Sequence, residues 1–168
     1  MNETHHDIQV FYKKIVEIEL GSIADVDKDG DISFNVPDAG QFYILLEKND
    51  PSYFRMGVFS VISRKEFGLS LTELLETLNE FNSWKKVAKH WVRKKDDDHL
   101  VCITAEAFLN SSTELPDEKV LQATIERYFR TLNNGARELV DHLREQASEA
   151  EQKQELPHLA GAEPTRWV

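Results

Sequence analysis

Four aspartates at alternate positions, Asp25, Asp27, Asp29 and Asp31, lie with Gly30 in the run Asp25-Val26-Asp27-Lys28-Asp29-Gly30-Asp31-Ile32-Ser33. Hard cations prefer clustered oxygen ligands, and an EF-hand calcium loop draws them from this spacing, with glycine at the sharp turn. The match ends where such a loop needs its bidentate glutamate, because that position is Val36. An EF-hand also needs a helix leaving the loop. Here Ile32-Ser33-Phe34-Asn35-Val36-Pro37 alternates as a strand and then meets a proline that opposes a helix. The same residues suit a hairpin turn, since Asp-Gly takes positive φ at little cost. We therefore expect a hairpin, with a weak calcium-responsive loop on Asp25, Asp27, Asp29 and Asp31 as the alternative.

The second chemically suggestive segment is Trp84-Lys85-Lys86-Val87-Ala88-Lys89-His90-Trp91-Val92-Arg93-Lys94-Lys95. Its tryptophans could stack on bases while lysine and arginine meet phosphates, which makes a single-strand nucleic-acid binder a further alternative. Lysines also protect an exposed sheet edge from pairing, and a half-buried tryptophan on a strand needs no ligand. An aromatic edge of this kind can instead receive a peptide strand or a second subunit. Asp96-Asp97-Asp98-His99 reads as a solvated acidic turn, because neighbouring side chains in a hairpin alternate in direction. No nucleophile stands beside a base in any recognisable motif, and neither a phosphate-cradling glycine loop nor a metal-ligand helix is present. The expectation is a non-enzymatic protein without a cofactor.

These residues must be held by secondary structure that the hydrophobic pattern outlines. Ile8, Phe11, Tyr12, Ile15, Ile18 and Leu20 approximate one helical face, and Gly21 is the stop. Strands are expected at Ser22 to Val26, Ile32 to Val36, Gln41 to Glu47 and Tyr53 to Ile62, with Asn49-Asp50-Pro51 as a turn. Ser70-Leu71-Thr72-Glu73 is a capping box, and Leu71, Leu74, Leu75, Leu78 and Phe81 follow on one face of a helix reaching about Asn82. Val87 to Arg93 and Leu100 to Ala107 flank the second acidic turn as a hairpin. A loop at Asn110 to Glu114 leads to Pro116, which suits a first helical turn. Leu121, Ile125, Tyr128, Leu132, Leu139 and Leu143 then mark a helix to about Glu149, with a bend or break at Asn133-Asn134-Gly135.

At 168 residues the chain fits one domain that removes roughly 70% of its unfolded surface from water. The single cysteine, Cys102, lies in an apolar run and reads as a buried thiol. A formal charge of -10 disfavours nonspecific attraction to nucleic acid or anionic lipid. The N-terminus lacks the pattern of a secretory signal and no apolar run approaches ~20 residues, so a cytoplasmic protein is expected. Residues 1–145 are expected to form the domain, and residues 146–168, rich in Glu, Gln, Ala and Pro, a polar and mobile tail carrying Trp167.

The order helix, meander, helix, hairpin, long helix resembles the type III secretion chaperones and the YbjN family of bacterial sensory-transduction regulators. Leu75-Glu76-Thr77-Leu78-Asn79-Glu80-Phe81-Asn82, Asp96-Asp97-Asp98-His99-Leu100-Val101 and the helix beginning near Pro116 carry that resemblance, over roughly Asp7 to Arg144. It implies an α+β fold with a meander of three or four strands, and a non-enzymatic, often dimeric domain that holds another polypeptide or tunes a regulatory pathway. The residues expected to present the partner or dimer surface are Trp84, Trp91, Leu74, Leu78 and Phe81.

Overall fold

The structure, a computed structural model, describes residues 3–47, 50, 52–109 and 115–155. Helix α1 spans Glu3–Leu20 and buries Ile8, Tyr12, Ile15 and Val16, which lie within one helical stripe. Ile18 falls outside that stripe and is exposed. The chain turns at Gly21 with φ 61°, a left-handed conformation that ends helices at little cost for glycine.

Strands β1 (Ala24–Val26), β2 (Ile32–Val36), β3 (Gly40–Leu46) and β4 (Tyr53–Ser63) follow as an antiparallel meander. A short 3-10 turn, Arg64–Phe67, leads to helix α2, Leu71–Trp84. The capping box at its start is fully formed, with the Ser70 hydroxyl accepting from the Glu73 N–H and the Glu73 carboxylate accepting from the Ser70 N–H. Strands β5 (Ala88–Lys95) and β6 (Asp98–Phe108) form the second hairpin, with Asp96 at φ 54° in its turn. The fold is thus α+β as expected, and its two strand groups merge into one six-stranded sheet of order β1-β2-β3-β4-β6-β5. The second hairpin joins through its later strand, so β6 lies between β4 and β5.

Helix α3, Glu118–Glu155, completes the domain. Asp117, rather than Pro116, makes its first turn: the Asp117 carboxylate accepts from the Lys119 and Val120 N–H groups. The helix passes unbroken through Asn133-Asn134-Gly135, and it continues beyond Glu149 because Glu, Gln, Ala and Lys are all good helix formers. Gln146, placed in the tail by composition, packs with its amide 3.0 Å from the His142 ring. The rest of that tail at 156–168, with Trp167, and residues 49, 51 and 110–114 of the expected turn and loop lie outside the described residues.

All three helices pack on one face of the sheet and share a single core with its inward side chains. Phe42, 1% exposed, joins Phe34 and Phe129 at ring separations of 5.9 and 5.1 Å. Tyr12 and Tyr128 flank Phe54 at 5.7 Å each, and the Tyr128 hydroxyl donates to the Glu106 carbonyl. Burial pushes the Tyr12 phenol up to about 12, so it stays neutral at any physiological pH.

Side chains from the helices close the sheet's two edges at one point each. Glu17 of α1 accepts from the Ala24 N–H of β1 at 3.3 Å. Asn82 of α2 donates to the His90 carbonyl of β5 at 2.9 Å and accepts from the His90 N–H at 2.8 Å. Unpaired edges invite pairing with other chains, and these contacts remove part of that invitation. Among the described residues no helix is long and apolar enough to cross a membrane.

Candidate protein-binding face

The acidic loop is the turn of the β1–β2 hairpin. One carboxylate oxygen, Asp27 Oδ1, accepts from the N–H groups of Asp29, Gly30 and Asp31 at 2.9, 2.9 and 3.1 Å. The Asp31 carbonyl accepts from the Asp27 N–H, and Asp31 Oδ1 from the Leu46 N–H. Two of the oxygens that would face a calcium ion, Asp27 Oδ1 and the Asp31 carbonyl, therefore hold the loop's own backbone. Burial, with Asp27 and Asp29 close by, raises the Asp31 carboxyl above its ordinary range. Among the described residues, no three His, Cys, Asp or Glu side chains converge as a metal site. Asp25 lies on β1 with Ser33 as its cross-strand partner.

The expected apolar partner surface on α2 needs correction. Leu74, Leu78 and Phe81 are 0%, 2% and 3% exposed and belong to the protomer's own core, because the stripe they share faces the sheet and α3. What α2 leaves exposed is Leu71, Leu75 and Trp84. Trp84 packs on Phe81 at 4.9 Å, with the Lys85 ammonium 4.5 Å from its ring. Trp91 lies on the opposite side of the sheet, since side chains alternate along a strand and its neighbour His90 points to the helices. The two tryptophans of the basic segment therefore do not share one face.

On that helix-free side Trp91 meets Phe59 edge-on at 6.2 Å, and Phe59 meets Tyr43 at 5.4 Å. Strands β3, β4 and β5 thus bring three aromatic rings into one cluster. Beneath it, Cys102 and Thr104 are buried although they point to the open side as the cross-strand partners of Trp91 and Lys89. Trp91 itself is 39% exposed. Two of the surrounding cations are paired within the face, Arg55 with Glu47 at 3.0 Å and Lys89 with Glu106 at 2.6 Å, while Arg93 donates to the Ser60 hydroxyl at 2.9 Å. Burial would raise the Glu106 carboxyl, but hydrogen bonds from Lys89 and Tyr53 outweigh it and hold the group below its ordinary range.

Gly57 allows the cluster to form. A Cβ there would lie 3.1 Å from the Ile103 carbonyl oxygen, the tip of the Phe59 ring and the Thr104 methyl. Any side chain here would require β6 or the Phe59 ring to give by a few tenths of an ångström. Gly57→Ala is expected to cost about 1–3 kcal/mol in urea unfolding and to shift Trp91 fluorescence as Phe59 is displaced. Unchanged stability would show that the ring does not need that space.

Tyr43 and Phe59 escaped the sequence reading, although a signal was present. Gln41 to Glu47 and Tyr53 to Ile62 are apolar at both odd and even positions, the pattern of strands with two covered faces.

No protein-family model matches the chain. No curated protein matches it in sequence. Among solved structures, it is similar to the crystal structure of YbjN, a candidate transcription regulator from E. coli, with a TM-score of 0.60 at 10% identity, covering 80% of this chain and 92% of that one. The chain has a YbjN-like fold. At this identity the likeness concerns backbone architecture, and it accounts for the placing of both hairpins in a single sheet under the long final helix.

Proposed function

We propose that this chain is a non-enzymatic, cytoplasmic protein-binding regulator that acts as a homodimer, with the helix-free sheet face as its contact surface. The observation that carries the reading is the Tyr43, Phe59 and Trp91 cluster, exposed at its Trp91 end, with the Arg55–Glu47 and Lys89–Glu106 pairs beside it. Aromatic residues are enriched at protein interfaces, and a large exposed apolar patch is uncommon on a monomer. The two ion pairs let a second face approach without stranding Arg55 or Lys89, and leave the Arg93 guanidinium free to meet a carboxylate of the partner. The regulatory assignment is supported by the shared fold with YbjN, itself described as a candidate transcription regulator.

Light scattering over a concentration series tests the reading. The wild-type chain is expected to be a dimer, and Trp91→Glu to weaken it at least ~30-fold, the scale of a central anchor lost from an interface, with an unchanged circular dichroism spectrum. The mass should be the same with calcium or chelator, because Asp27 and Asp31 are committed to their own turn. A monomer at every concentration, or a dimer indifferent to both Trp91→Glu and Phe59→Glu, would refute the proposal.

A further inference from the structure

His90 makes its contacts on the helix side of β5, independently of the open face. Its N–H and carbonyl are both held by the Asn82 side-chain amide, which occupies the place of a neighbouring strand. Ring Nδ1 lies 3.1 Å from Asn82 Oδ1. That oxygen can only accept, so Nδ1 carries the ring proton and Nε2 is a bare lone pair. Nε2 is buried, has no hydrogen-bond partner among the described residues, and faces α3 at Gly135, where an added Cβ would sit 3.6 Å away.

Among the described residues the enclosure places no acceptor against a second proton. Phe81 of α2 meets the ring edge-on at 5.6 Å, and Ile103 is the cross-strand residue of β6. The charged groups nearby are Lys85 at the end of α2 and Glu138 of α3, which pair with each other. His142 of α3 reaches Phe81 at 5.2 Å. We propose that Asn82 and His90 form a proton-operated seal on the β5 edge, closed while the imidazole is neutral and released when Nε2 is protonated.

Release lets the last turn of α2 leave the strand. The His90 backbone then joins the outward-facing groups of Val92 and Lys94, which share its direction along the strand. Burial first, then Lys85, depress the closed-state pKa from 6.5 to about 4, with Glu138 opposing. The ring in the open state has its ordinary pKa, so the open form binds protons more readily. The seal is therefore fully favoured above the ordinary pKa and is progressively lost as pH falls from there toward 4. At pH 5 the open-to-closed ratio should stand about 30-fold above its neutral value.

Hydrogen exchange by NMR on the full chain reads this directly, because the His90 amide donates to Asn82 Oδ1. Corrected for intrinsic exchange, its opening is expected to rise about 30-fold between about pH 7.5 and pH 5, while amides of β4 and β6 keep their protection. In His90→Gln, which cannot be protonated, that rise should vanish. Should this variant fail to fold, the ring titration of the wild-type protein decides. A midpoint near 4 with the proton on Nδ1 supports the seal, whereas a midpoint near the ordinary value, or a proton on Nε2, overturns it. The same rise in a folded His90→Gln, or simultaneous loss of protection throughout the sheet, overturns it equally.

Discussion

Replacing Asn82 with alanine should cost the fold about 3 kcal/mol, a large effect for a polar residue near the end of a helix. Its amide makes three contacts, to the His90 N–H, carbonyl and ring Nδ1, at 2.8 to 3.1 Å. Each hydrogen bond contributes only about 1 kcal/mol net, but truncating one partner leaves the other groups desolvated and unpaired. His90 is 3% exposed, so water cannot reach the ring to compensate without opening the edge. Urea unfolding at neutral pH measures the loss. A change under about 1 kcal/mol would mean that the His90 backbone groups find other partners.

Phe42→Ala should cost about 4 kcal/mol, the range expected when a large aromatic is removed from a closed core. Its ring is stacked on Phe34 and meets Phe129 edge-on, so the change deletes buried area and also two aromatic contacts, one within the sheet and one that links it to α3. The neighbours are rigidly placed on a strand and a long helix, which limits collapse into the cavity. Phe108→Ala provides the internal contrast: at 72% exposure it should change stability by no more than about 0.5 kcal/mol. Comparable losses in the two variants would contradict the burial pattern.

Much of the architecture was legible because local chemistry and tertiary structure agree. Ser70 and Glu73 announce the start of α2 by themselves, since the capping box satisfies its own backbone groups. The Asp-Gly turn and the alternation of Ile32, Phe34 and Val36 define the first hairpin in the same way. Periodicity also located Leu74, Leu78 and Phe81 on the buried face of α2, although Leu71 and Leu75, read onto the same face, are exposed. Where the reading failed was in assigning that face to a partner, because an apolar stripe does not say whether sheet or second subunit covers it.

Other features depend on contacts distant in the chain. The register shift in β4 between Val58 and Ile62, with Ser60 at φ 59°, has no local sequence signal, yet it sets where Phe59 and Val61 point. Asn82 looks like an ordinary polar residue until β5 is laid beside it. Asn133-Asn134-Gly135 resembles a break, but burial of Leu132 and Leu139 on either side holds the helix together.

The insertion of β6 between β4 and β5 has a consequence for synthesis. A growing chain released only as far as β5 contains every strand except the one that β4 needs as its neighbour. Throughout that interval the longest strand of the meander offers an open row of backbone donors and acceptors, and the cover supplied by α3 is still inside the ribosome. The nascent protein is therefore most exposed to misassembly between the release of β5 and that of β6, and the arrival of Asp98 to Phe108, more than the final helix, ends that exposure.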